Sequence, residues 1–200
     1  MQSPRPIRRF VLALVCIMPT AVLFGCASPP APQYPELTFS HLPTITLGVA
    51  RIEIVDNYTP QDNARHIENR MPSSPETALR NWARDRLRAN GVSGVAKFII
   101  SNASVVEADL TTTKGLKGVF TNDQSQRYDA DVSVSVRLEG VPRVSEAYAE
   151  AKISRSQTVA EDATINVREQ AWFNLTEAVM QDFDPAMAAS IRKHLADFVR

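Results

Sequence analysis

Cysteine is nearly absent from this 200-residue chain; Cys16 and Cys26 are the only two, and both fall in the first 26 residues. A disulfide-stapled scaffold is therefore excluded for everything downstream. Histidine is scarce as well: His41, His66 and His194 stand far apart, with no second ligand at metal spacing. Seven glycines in 200 residues form neither a phosphate-cradling loop nor a Gly-x-Ser-x-Gly elbow. Charge of one sign is not in excess, with 22 Lys and Arg against 22 Asp and Glu. That balance offers no basic surface for nucleic acid. No apolar run after residue 24 approaches the roughly 20 residues a bilayer-crossing helix needs. Neither a cofactor nor an enzymatic activity is expected. Thr111 and Lys114 have only the spacing of a Ser-x-x-Lys pair. Asp129 and Asp131 lie on what reads as the wet side of a strand.

What is present starts at the N-terminus. Arg5, Arg8 and Arg9 precede an almost wholly apolar run, Phe10 to Phe24, interrupted by Pro19. Basic start, short apolar segment and small-residue exit have the form of a secretory signal. The run closes on Leu23-Phe24-Gly25-Cys26, which resembles the lipobox of bacterial lipoproteins. The resemblance implies that Cys26 carries a diacylglycerol thioether and an N-acyl chain after cleavage, so that residues 1–25 are a signal peptide. It also implies a membrane anchor through acyl chains, which bind a bilayer far better in pairs than singly. Ala27 follows the cysteine, where an Asp would suggest inner-membrane retention, so the expected location is the outer membrane with the domain facing the periplasm. Without the signal, 19 basic residues face 22 acidic ones, a net charge of −3.

Residues 26–44 read as the lipidated cysteine and a tether. Pro29, Pro30, Pro32 and Pro35 favour extended polyproline geometry. Residues 45–200 read as a single domain. In Ile45–Asp56, Ile45, Leu47 and Val49 alternate before the apolar parity shifts to Ala50, Ile52 and Ile54, which predicts a strand with a bend near Val49 and Ala50. Ser74, Pro75 and Glu76 open a helix predicted to run to Asn90, with Gly91 as its left-handed cap. Leu79, Trp82, Ala83 and Leu87 mark its buried face; Arg80, Arg84 and Arg88 form an outer face bordered by Arg86. Val95–Leu110 is the second strand. The loop Thr111–Gln126 holds Lys114, Leu116, Lys117, Val119 and Phe120, apolar residues set among lysines and glycines.

Tyr128–Glu139 alternates without a fault, its apolar set being Tyr128, Ala130, Val132, Val134, Val136 and Leu138. That predicts a sheet with one buried and one wet face. Ser145–Arg155 returns as a fourth strand. The C-terminal third is helical, with Asn166/Glu169 or Thr158/Glu161 as alternative capping boxes. Asp184-Pro185 is expected to interrupt and restart that helix. The predicted fold is α+β: a four-stranded, mainly antiparallel sheet with two helices on one face, in the order β-α-β-β-β-α.

That order, behind a lipidated cysteine and tether, resembles the small periplasmic domains of the LPS-assembly lipoprotein family, the barrel partner in lipopolysaccharide transport. It is also similar to the auxiliary lipoproteins of ABC-type lipid transporters. The resemblance rests on the helix ending at Gly91, the loop and strand from Thr121 to Leu138, and the long terminal helix. Ala27-Ser28-Pro29-Pro30 stands where the first family often has an aromatic-Pro-Leu-Tyr motif. The resemblance implies a non-catalytic accessory in envelope assembly or lipid transport that binds an envelope protein partner. The partner contacts expected are Lys114, Leu116, Lys117, Val119 and Phe120, then Arg80, Arg84 and Arg88. An anionic lipid or glycan held by the same basic residues is the second reading.

Overall fold

A computed structural model describes residues 33–61, 63–110, 124–142 and 147–200. Six strands and two helices follow in the order β1 (Ile45–Leu47), β2 (Arg51–Asp56), α1 (Pro75–Arg86), β3 (Leu87–Ala89), β4 (Val95–Asp109), β5 (Gln124–Glu139), β6 (Ala147–Ala160) and α2 (Ile165–His194). The main sheet has the order β2-β4-β5-β6. β2 runs parallel to β4, while β4-β5 and β5-β6 are antiparallel. This is the expected α+β class, with the first predicted strand split into two.

The split falls where the apolar parity changes. β1 leaves at Gly48 to pair in parallel with β3, while β2 continues into the main sheet. On β5, Tyr128, Ala130, Val132, Val134, Val136 and Leu138 are all buried, as a period-two pattern on a one-sided sheet requires. β4 keeps Ala96, Phe98 and Ile100 on that face, then inserts Ser101 as a bulge between Ile100 and Asn102. One extra residue inverts the alternation, so Ala103 and Val105 are the buried apolar positions beyond it.

Both helices cover this face. Trp82 of α1 stacks on Phe98 of β4 at 5.6 Å and meets Phe183 of α2 edge-on at 5.1 Å. Trp172 of α2 meets Tyr128 of β5 edge-on. Truncating any of these buried aromatics to alanine is expected to cost about 3–5 kcal/mol, the transfer loss plus the cavity. Ala149 and Ala151 on β6 are buried small residues that let α2 lie close. Among the described residues, no helix is long and apolar enough to cross a membrane.

Several boundaries differ from expectation, among them the start of β5, which lies at Gln124 and not at Tyr128. α1 starts as read, with Ser74 Oγ accepting from the Thr77 N–H at 3.2 Å, but it ends at Arg86. Leu87–Ala89 turn extended because pairing with β1 buries Leu87 and satisfies its backbone. β6 runs to Ala160, five residues past Arg155, and α2 is capped by Thr164, whose Oγ1 accepts from the Val167 N–H. Lastly, α2 does not break at Asp184-Pro185; it is one helix of 30 residues with Pro185 inside. Asp184 cannot serve as a cap because its carboxylate is engaged elsewhere. Pro185 is exposed, where the carbonyl left without its N–H partner can be hydrated.

Candidate functional site

The arginine face is less cationic than its spacing implied. Arg80 lies between two carboxylates: its Nη2 donates to Asp56 Oδ2 at 2.6 Å and its Nε to Glu76 Oε1 at 3.0 Å. Arg84 donates to Asn81 Oδ1 at 2.7 Å, and Arg88 to the Arg84 and Leu87 carbonyls. Arg88 sits on β3, beyond the end of the helix. Arg86, placed by spacing at the border of the outer face, is buried instead, its Nε 2.8 Å from Asp184 Oδ1. Arg84 and Arg88 are therefore the cations of this face that make no ion pair among the described residues. Lys114, Leu116, Lys117, Val119 and Phe120 lie outside the described residues, as does Cys26.

The densest gathering of titratable groups stands where β2 runs into the connection to α1. Asp56, Glu76 and Arg80 form one triad there. Burial alone would raise Asp56, but hydrogen bonds with Glu76 and Arg80 and the Tyr58 N–H outweigh it and hold the carboxyl below the usual range. Glu76 goes the other way, raised by burial and then by its neighbour Asp56. Two carboxyls this close do not ionise as independent groups.

Tyr58 joins this triad to a second cluster. Its hydroxyl donates to Glu68 Oε1, which also faces His66 Nδ1 at 3.1 Å, while the Val105 N–H donates to Glu68 Oε2 at 3.3 Å. Glu68 is only 4% exposed. Burial pushes it up, yet the Tyr58 hydroxyl leads a set of donors that brings its carboxyl below the ordinary range. Burial, then the Glu68 carboxylate, pushes the Tyr58 hydroxyl well up. The backbone follows: Ile67 N–H donates to Val105 O and Glu107 N–H to Arg65 O, so residues 65–67 pair along the free edge of β4. The cluster thus pins the long connection of residues 57–74 to the sheet. Sequence spacing gave His66 no partner. Glu68 was missed because a lone acid beside Ile67 carries no periodic signal.

A third polar junction ties the helices together. Asp184 Oδ1 accepts from both Trp82 Nε1 and Arg86 Nε, each at 2.8 Å. Asp129 and Asp131 are also accounted for, since Ser156 and Ser154 directly opposite on β6 donate to them. Among the described residues, no group of three His, Cys, Asp or Glu is placed to hold a metal ion.

Tyr34, inside the segment predicted as a tether, packs on α2. Its ring contacts Phe173 at 5.3 Å and its hydroxyl approaches Asn166 O at 3.5 Å. Asn81 Nδ2 then donates to Glu36 Oε1 and Leu37 O, and Phe39 is buried. Compared with known proteins, the chain matches no protein-family model and no curated protein sequence.

Proposed function

We propose that this protein is a lipid-anchored, non-catalytic accessory of the bacterial outer membrane, facing the periplasm and acting by binding an envelope protein partner in assembly or lipid transport. The observation that carries the reading is the short distance along the chain from Cys26 to Tyr34. Eight residues span at most about 29 Å whatever their conformation, so a chain acylated at Cys26 would keep its domain close to its own membrane. A protein so tethered meets partners confined to the same surface. The loop carrying Lys114, Leu116, Lys117, Val119 and Phe120 is the leading contact, with Arg84 and Arg88 beside the end of α1 as the second.

Direct binding of an anionic lipid or glycan by the basic face is the other reading, and the pairing of Arg80 with Asp56 and Glu76 weighs against it. Salt separates the two. Exposed ionic contacts fade as the screening length shortens from about 10 Å at 0.1 M to about 3 Å at 1 M. Crosslinking in intact cells, with photoreactive groups at positions 115 and 118 in both chains compared, tests the partner reading. A single envelope protein captured by the parent chain, resistant to high salt and lost in a Leu116→Ser, Phe120→Ser chain, supports it. Capture of lipid alone, or equal capture by both chains, contradicts it.

A further inference from the structure

At the far end of α2 from Tyr34, a cleft of about 310 Å³ opens between β1, the C-terminal residues and the last turns of α2. Its polar lining is Thr44, Thr46, Arg86, Asp184, Arg192 and Arg200. The chain builds it from both ends. Arg200 N–H donates to Thr46 O at 2.9 Å, Gly48 N–H donates to Phe198 O at 2.7 Å, and Leu47 bridges Val199. The last residues therefore lie along the edge of β1 opposite β3. Ile45 and Leu47 enter the core, so alternation turns Thr44 and Thr46 outward into the cleft.

The charge in this cleft is not balanced. Asp184 is the one side-chain carboxylate in the lining, and it already accepts from Trp82 and Arg86. Arg192 and Arg200 are exposed and make no ion pair among the described residues. Two guanidinium forks beside two hydroxyls suit a tetrahedral oxyanion, whose oxygens accept from several donors at once. The negative end of the α2 dipole opposes an anion here, but it acts as a partial charge against two full ones.

We propose that this cleft binds a phosphate group. Its position bears on where that phosphate comes from. Asn166, which Tyr34 contacts, and Arg192 are 26 residues apart on one helix, about 39 Å. On the proposed anchoring through Cys26, a cleft at this distance along α2 from Tyr34 suits phosphate on a soluble molecule or on a partner.

The test titrates inorganic pyrophosphate into the full-length chain in detergent, following backbone amide resonances and heat. Saturable binding that moves the Thr44 and Thr46 amides is expected. Arg192→Gln and Arg200→Gln should each weaken it about tenfold, the loss of one charge-assisted hydrogen bond; Lys152→Gln, exposed on β6, should leave it unchanged. Both replaced arginines are exposed, and an unchanged melting temperature verifies that the variants fold. No saturation, shifts confined to other residues, or undiminished binding by the double variant would overturn the site. In a parallel arm, a response to phosphatidylglycerol nanodiscs but not to phosphatidylcholine nanodiscs or pyrophosphate keeps the site and assigns it to lipid headgroups, overturning the soluble source. A Cys26→Ser chain should give the same pyrophosphate titration, so this result stands or falls apart from anchoring.

Discussion

Gly91 is needed for a reason other than its backbone angle. The left-handed glycines among the described residues are Gly94 and Gly140, not Gly91. A Cβ on Gly91 would fall 2.4 Å from the backbone carbonyl carbon of Gly48, an atom that cannot swing aside. Gly91→Ala and Gly91→Asn are thus expected to destabilise equally, by about 1–3 kcal/mol of overpacking, in urea unfolding. A helix-cap glycine would instead tolerate asparagine better. Asp184 makes a second case. Asp184→Ala strands a buried guanidinium and should cost about 3–5 kcal/mol, whereas the double replacement Arg86→Met, Asp184→Leu should recover only part of that loss, because Trp82 Nε1 stays without its acceptor. Glu68 sets a pH dependence. Its carboxyl lies below its ordinary value in the folded state, so its stabilisation is complete above the unfolded pKa and disappears as pH falls through the folded one. Glu68→Gln should flatten the acid limb of the stability curve, and an unchanged limb would mean that this carboxylate is not the group responsible. These residues were illegible in sequence because each acts across a fold contact: Asp184 is 102 residues from Trp82, and Glu68 is 37 from Val105.

The elements divide by whether their signal is local. β5 was legible because its alternation answers to one buried face, and the bend before β2 because a parity change has few other causes. The end of α1 was not, since Leu87 continues the helical spacing and turns extended only when β1 is there to pair with it. The same mistake placed Arg88 on a helix face. The last residues of β6 carry no local signal, because Ser156, Gln157 and Thr158 are polar and are held extended by pairing with β5. Asp184-Pro185 carries the local signature of a restart, overridden when Trp82 and Arg86 take the aspartate. Inside α2, Pro185 then forgoes one helical hydrogen bond. Pro185→Ala should stabilise the protein by about 1–2 kcal/mol, the helix-interior penalty less the entropy regained by the unfolded chain. A loss of stability in thermal unfolding would show that the proline shapes a bend the packing requires.

Taken as a whole molecule, the chain commits most of its chemistry-bearing side chains to holding itself together. Asp56, Glu68, Glu76, Arg80, Arg86 and Asp184 pair inward, and the serines of β6 tie down Asp129 and Asp131. Among the described residues, the outward-facing groups include Arg84 and Arg88 by α1, Arg192 and Arg200 at the cleft, and Ile165 and Val167 where α2 begins beside Tyr34. On the proposed reading such a molecule works by being held in the right place, and acylation at Cys26 would set that place. Intact mass spectrometry of protein extracted from bacterial membranes addresses this most directly. The account predicts a chain starting at Cys26, heavier than its residues by a diacylglyceryl thioether and an N-acyl group. A chain with an unacylated amino terminus, whether it starts before or after Cys26, would contradict it.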